Sequence, residues 1–122
     1  MTRWVTKYLG IKDAKSRLST DEYGSIILDL RDMADGSNPP ELLARIFGKV
    51  FATVASAKKL GTRVILQCEG GISRSPAMVA AIFVYANDME WEDALDLVKK
   101  KVPEAQISLE LLDSFKEAFG QV

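Results

Sequence analysis

The chain has no histidine. That absence removes every Ser-His-Asp and Cys-His mechanism, and every zinc site built on imidazole. There is one cysteine, Cys68, so no internal disulfide and no four-cysteine metal site can form. An unpaired thiol suits a reducing compartment, and a cytoplasmic location is expected. Excess charge of one sign is also missing. With 16 basic and 17 acidic residues the net charge is −1, which asks for neither nucleic acid nor an anionic membrane as partner. The longest apolar run, AMVAAIFVYA (77–86), covers ten residues and is too short to span a bilayer. The opening stretch MTRWVTKYLG lacks the apolar core of a signal peptide. Repeats, low-complexity tracts and linkers are absent. A chain of 122 residues is therefore expected to form a single domain, 1–122, with one core, and to be monomeric. Its chemistry must come from Cys, Arg, Lys, Asp, Glu, Ser, Thr or Tyr.

What is present alternates between strand and helix patterns. WVTKYLGI (4–11) alternates loosely and predicts a first strand, and KDAKSRLSTDEYG (12–24) a short helix or turn stopped at Gly24. SIILDLR (25–31) is a β-rich apolar run of strand length, and DMADGSNPP (32–40) is a loop. From Pro39 or Pro40 to about Lys59, apolar residues recur at helical spacing, and Gly61 follows. TRVILQC (62–68) predicts a buried strand, and Arg74 to Ala86, apolar nearly all round, a central helix. Residues 89–102 carry acids at the start and lysines at the end, as a helix dipole favours, and 108–119 predict a last helix opened by Ser108. This order predicts an α/β domain, with a mainly parallel central sheet and helices on both faces. Ligands on such sheets bind beyond the carboxyl ends of the strands, where Cys68 falls.

The stretch between that strand and the central helix, CEGGISRS (68–75), is built for an anion. Gly70 and Gly71 permit positive φ and close backbone approach, so consecutive N–H groups can line a nest. The helix start adds positive partial charge, and Arg74 adds a planar fork that matches two phosphate oxygens. Such a field also favours the thiolate of Cys68: a cysteine near pKa ~8.5 drops to about 3.5–7.5 at helix N-termini beside cations.

CEGGISRS matches the C-x5-R-[S/T] loop of the cysteine-based protein-tyrosine phosphatases, and its GGISRSP ending most resembles the compact dual-specificity branch. The likeness includes the strand before the loop, the apolar helix after it and the upstream aspartate loop, and covers about residues 25–119. It implies a protein phosphatase that hydrolyses phosphotyrosine, and also phosphoserine or phosphothreonine, through a phosphocysteine intermediate. In that mechanism Cys68 is the nucleophile and Arg74 clamps the phosphoryl oxygens. Ser75 hydrogen-bonds the departing thiolate. The backbone of Glu69, Gly70, Gly71, Ile72, Ser73 and Arg74 binds phosphate. An aspartate is general acid, then base. Asp35, 33 residues before Cys68, is favoured; Asp32, 36 before and at the strand end, is the alternative. No cofactor or metal is implied, and the partner is a phosphorylated protein or peptide.

One departure stands out: Gln67 occupies the position before the cysteine, where the family usually has histidine. Gln can donate and accept hydrogen bonds but brings no charge. A phosphate-binding module without turnover and a rhodanese-like sulfurtransferase are the competing functions. The serine after the arginine and the aspartate loop speak against sulfur transfer. Each residue also has a plainer role open to it: Cys68 as a buried thiol, Arg74 as a surface charge, Ser73 and Ser75 as helix caps, Asp32 and Asp35 as turn formers.

Overall fold

The computed structural model describes residues 2–17, 22–70 and 72–120. Along the chain lie β1 (Arg3–Trp4), β2 (Leu9–Asp13), β3 (Ile26–Asp29), α1 (Pro40–Lys59), β4 (Val64–Cys68), α2 (Arg74–Asn87), α3 (Trp91–Lys101) and α4 (Leu109–Ala118). The described strands form one sheet in the order β1-β2-β4-β3. β2 and β3 both run parallel to β4, and only the short β1 is antiparallel. The mainly parallel α/β architecture expected from the alternation of elements is the one adopted.

β4 lies in the middle of the sheet because its apolar run can be buried on both sides. Val64, Ile65 and Leu66 are all inaccessible to solvent. Val64 and Leu66 join Leu9 and Ile11 in the core that the helices complete. α2 runs through this core, with every residue from Ser75 to Ile82 buried. α1 and α4 pack beside it through an aromatic cluster: the Phe47 ring lies 5.4 Å from Tyr85 and 4.9 Å from Phe119.

On the other face Trp4 and Thr2 lie over Gly10. A Cβ at Gly10 would come within 2.6 Å of Thr2 Cγ2 and 2.8 Å of the Trp4 ring, so only glycine fits. The Arg63 guanidinium covers the Trp4 ring at 4.6 Å.

The predicted single strand at 4–11 is two strands joined by a tight turn. Val5 N and Thr6 N both donate to Leu9 O, and Thr6 Oγ1 accepts from Tyr8 N. The loose alternation hid this turn. β2 also runs past the predicted end, to Asp13, because parallel pairing carries its register along β4 as far as Cys68. Lys12 and Asp13 therefore belong to a strand, and the expected helix or turn begins later, at a turn closed by Ser16 N donating to Asp13 O. Residues 18–21 of that segment lie outside the described residues. α1, α2, α3 and α4 match their predicted spans to within two residues. α4 is capped as expected, with Ser108 Oγ accepting from Leu111 N. No helix among the described residues is long and apolar enough to cross a membrane.

Candidate active site

The parallel register brings Asp13 beside Cys68 at the carboxyl end of the sheet. Cys68 is fully buried and unpaired, and its carbonyl accepts from Ala14 N at 2.9 Å. From there the chain turns into α2, whose first turn faces the sulfur: Ser75 N donates to Cys68 Sγ at 3.4 Å. An amide of the first turn of α2 thus points at the thiol. Ser75 Oγ is buried with no hydrogen-bond partner among the described residues.

Gly70 adopts φ +74°, the left-handed region glycine enters freely. Its N–H donates to Asp13 Oδ1 at 3.2 Å, so this amide is engaged from the sheet side. The N–H groups of Lys15 and Gly70 hold the Asp13 carboxyl below its ordinary pKa. Glu69 and Gly70 are exposed, Ile72 is half-buried and Ser73 is buried; Gly71 lies outside the described residues. Ile72 O accepts from Gln106 N at 2.7 Å, which braces the loop against the segment before α4.

Arg74 projects from the start of α2 toward the aspartate loop, where Nη1 donates to Met33 O at 3.1 Å. The same loop returns a contact: Ser73 Oγ donates to Asp35 Oδ1. Asp35 is therefore the aspartate that the fold brings to the cysteine loop. Asp32 is exposed and, among the described residues, has no hydrogen bond to the cysteine loop. It lines a cleft with Asp29, Met33, Ile46 and Lys49. Asn38 holds the loop closed. Its Oδ1 accepts from Ala34 N, its Nδ2 donates to Ala34 O and Gly36 O, and its backbone N–H reaches Ser114 Oγ of α4 at 2.9 Å.

Gln67 stands in a polar row on the sheet face away from the helices. Lys12 Nζ donates to Gln67 Oε1 at 3.4 Å, and Gln67 Nε2 donates to Asp29 Oδ2 at 3.1 Å. Asp29 in turn accepts from Arg31 through both oxygens. That bidentate bond from Arg31 holds the Asp29 carboxyl well below the usual carboxylate range, with the Gln67 amide adding to it. Lys12 is buried, and its ammonium is satisfied by Asp13 O, Ser16 O and Gln67. Sequence reasoning did not find Lys12, Asp13 or Asn38, nor the bond from Ser108 N to Ser73, because the contacts that join them to the site, at Gln67, Gly70, Ser114 and Ser73, lie 35 to 76 positions away in the chain. The one signal was Asn38, an Asx residue in a Gly- and Pro-rich loop. Among the described residues no group of three or more His, Cys, Asp or Glu is placed to hold a metal ion.

Known proteins resemble this chain in sequence and in fold. The family model of the dual specificity phosphatase catalytic domain matches residues 11–119. The chain belongs to the dual specificity phosphatase family. The match starts at β2, earlier than the resemblance seen in the sequence. Dual specificity protein phosphatase 12 of Mus musculus is 32% identical over 60 residues, and Protein phosphatase Slingshot of Drosophila melanogaster 34% over 59. Those stretches are 49% and 48% of this chain but only 18% and 6% of the two relatives.

Solved dual specificity phosphatases and their neighbours share the fold over almost the full chain. A leucine rich repeat and phosphatase domain containing protein from Entamoeba histolytica superposes with a TM-score of 0.83 at 14% identity, covering 98% of this chain and 91% of that one. A mouse putative dual specificity phosphatase complexed with zinc tungstate gives 0.78 at 16% identity, covering 96% and 85%. Tk-PTP in the active form gives 0.77 at 15% identity, covering 99% and 97%.

Proposed function

We propose that this chain is a protein phosphatase that hydrolyses phosphotyrosine, and also phosphoserine or phosphothreonine, through a phosphocysteine at Cys68. The observation that supports this reading is the Ser75 N–H on Cys68 Sγ in a loop joined to the aspartate loop twice, by Arg74 at Met33 O and by Ser73 at Asp35.

In the first step the Cys68 thiolate attacks phosphorus and the P–O bond to the aryl group breaks. Asp35 gives its proton to the leaving oxygen. Arg74 and the loop amides take up the charge on the three equatorial oxygens, Arg74 as a planar fork anchored on Met33 O. In the second step water attacks phosphorus, Asp35 accepts its proton, and the P–S bond breaks to return the thiolate. The Ser75 hydroxyl, buried and without another partner among the described residues, donates to that departing sulfur.

The test is Cys68→Ser. It should abolish release of phosphate from phenyl phosphate and phosphotyrosine peptides while vanadate still binds, and EDTA should leave the wild type unaffected. Turnover that survives in Cys68→Ser, or that stops with EDTA, would overturn the mechanism. Thiosulfate sulfurtransfer without phosphate release would point to the rhodanese-like alternative.

A further inference from the structure

Ser73 is buried, and its side chain touches two separate segments. Its Oγ accepts the backbone N–H of Ser108 at 3.0 Å, just before α4. It donates to Asp35 Oδ1 across 38 positions of sequence. Its carbonyl accepts from Ala77 N inside α2. A serine hydroxyl has a single hydrogen to give. With the Ser108 amide aimed at the oxygen, that hydrogen is free to go to the carboxylate. Asp35 is exposed, and its Oδ2 has no protein partner among the described residues.

We propose that Ser73 is the positioning residue of the general acid: its hydroxyl, oriented by the Ser108 amide, pins one oxygen of Asp35 and leaves the other to meet the leaving group. The inference rests on Asp35 acting as the acid in the proposed hydrolysis. It assigns to the Ser73 side chain a task separate from phosphate binding by its backbone. Pinning one oxygen limits the rotations of a carboxylate that stands on an exposed loop, so the proton it carries points into the site for a larger share of the time. Placement of a reacting group is worth large factors: a shift of about 1 Å can cost roughly a hundredfold.

A double-mutant cycle of Ser73→Ala and Asp35→Asn separates this role from plain support of the loop. Ser73→Ala should lower kcat/KM on phenyl phosphate about tenfold, because general acid catalysis matters most for poor leaving groups. On p-nitrophenyl phosphate the loss should stay within about twofold, and vanadate affinity should not change. In the Asp35→Asn background, adding Ser73→Ala should cost nothing further, and Ser73→Thr should restore most of the phenyl phosphate rate. Equal losses on both esters, or the same loss with and without Asp35, would overturn the proposal. So would a faster Ser73→Ala enzyme, which would mean that Ser73 parks the acid away from the site. NMR relaxation of the amides of residues 34–37 gives a readout that needs no turnover. They should become more mobile in Ser73→Ala, and unchanged order would overturn the pinning. A wild type that releases no phosphate from either ester would overturn the proposed function instead, and the relaxation data would still decide on Ser73.

Discussion

Asn38 has no group for the chemistry, yet Asn38→Ala should damage the reaction in a recognisable way. Three side-chain hydrogen bonds disappear: Ala34 N to Oδ1 at 2.9 Å, and Nδ2 to Ala34 O and Gly36 O, each at 3.0 Å. At ~0.5–1.5 kcal/mol apiece they contribute roughly 1.5–4.5 kcal/mol to holding the aspartate loop closed. The side chain is 7% exposed, so the freed backbone groups find little water unless the loop opens. Local opening costs less than global unfolding, so urea denaturation should register only about 1–2 kcal/mol of the loss. The rest should appear in catalysis. On phenyl phosphate kcat/KM should fall at least about tenfold, since the acid is then misplaced. On p-nitrophenyl phosphate the fall should be under about threefold, and vanadate affinity should hold, because the contacts of Cys68 with Ser75 N, of Ile72 O with Gln106 N and of Ser73 Oγ with Ser108 N do not involve the aspartate loop. Asn38→Asp retains the acceptor for Ala34 N and loses both donors, so it should fall between. Equal losses on both esters, or weakened vanadate binding, would refute the view that Asn38 acts on the acid loop alone.

Asp35→Asn should slow phenyl phosphate far more than p-nitrophenyl phosphate, by about a hundredfold on the former, whereas Asp32→Asn should show no leaving-group dependence; the reverse pattern would exchange their roles. Ser75→Ala removes a buried hydroxyl with no partner, so its stability should stay within about 0.5 kcal/mol of wild type while release of the phosphorylated enzyme slows. A rapid-quench burst of phenol no larger than in the wild type would take Ser75 out of the second step. Asp29 has a depressed folded-state pKa. Its contribution to stability is therefore complete above the unfolded value of ~3.9 and is lost as pH falls through the folded value. Asp29→Asn should accordingly lose less stability than wild type between pH 7 and pH 3, measured by urea midpoints. An identical acid profile would show that the Arg31 pair contributes nothing there.

The helices were legible because each carries its own signal within one window. α2 is apolar on every side, α3 has acids first and lysines last, and α4 begins at a capping serine. The loop from Cys68 to Ser75 was legible for the same reason: its parts are consecutive. The turn between β1 and β2 was not, since residues 4–11 can be read as one alternating strand, and only the register with β4 shows where β2 starts and stops. The choice between Asp32 and Asp35 could not be made from spacing, because three residues separate them on one loop. Contact with Ser73 distinguishes them in space. Lys12 reads in sequence as an ordinary surface charge, and its burial follows from pairing opposite Gln67. What the sequence hides, in each case, is a partner far along the chain.

Helix α4 supplies no reacting group, but residues near it clamp both loops, Ser108 through Ser73 and Ser114 through Asn38. Those two serines follow Cys68 by 40 and 46 positions and are made after every residue proposed to do chemistry. As the chain leaves the ribosome, the proposed nucleophile, arginine and acid are therefore all made well before the two serines that clamp their loops from the α4 side. At roughly 5–20 residues per second, translation leaves an interval of a few seconds in which the thiol has been synthesised but its surroundings have not closed. Competence would thus arrive late and all at once, when the last helix docks, rather than growing as the sheet forms.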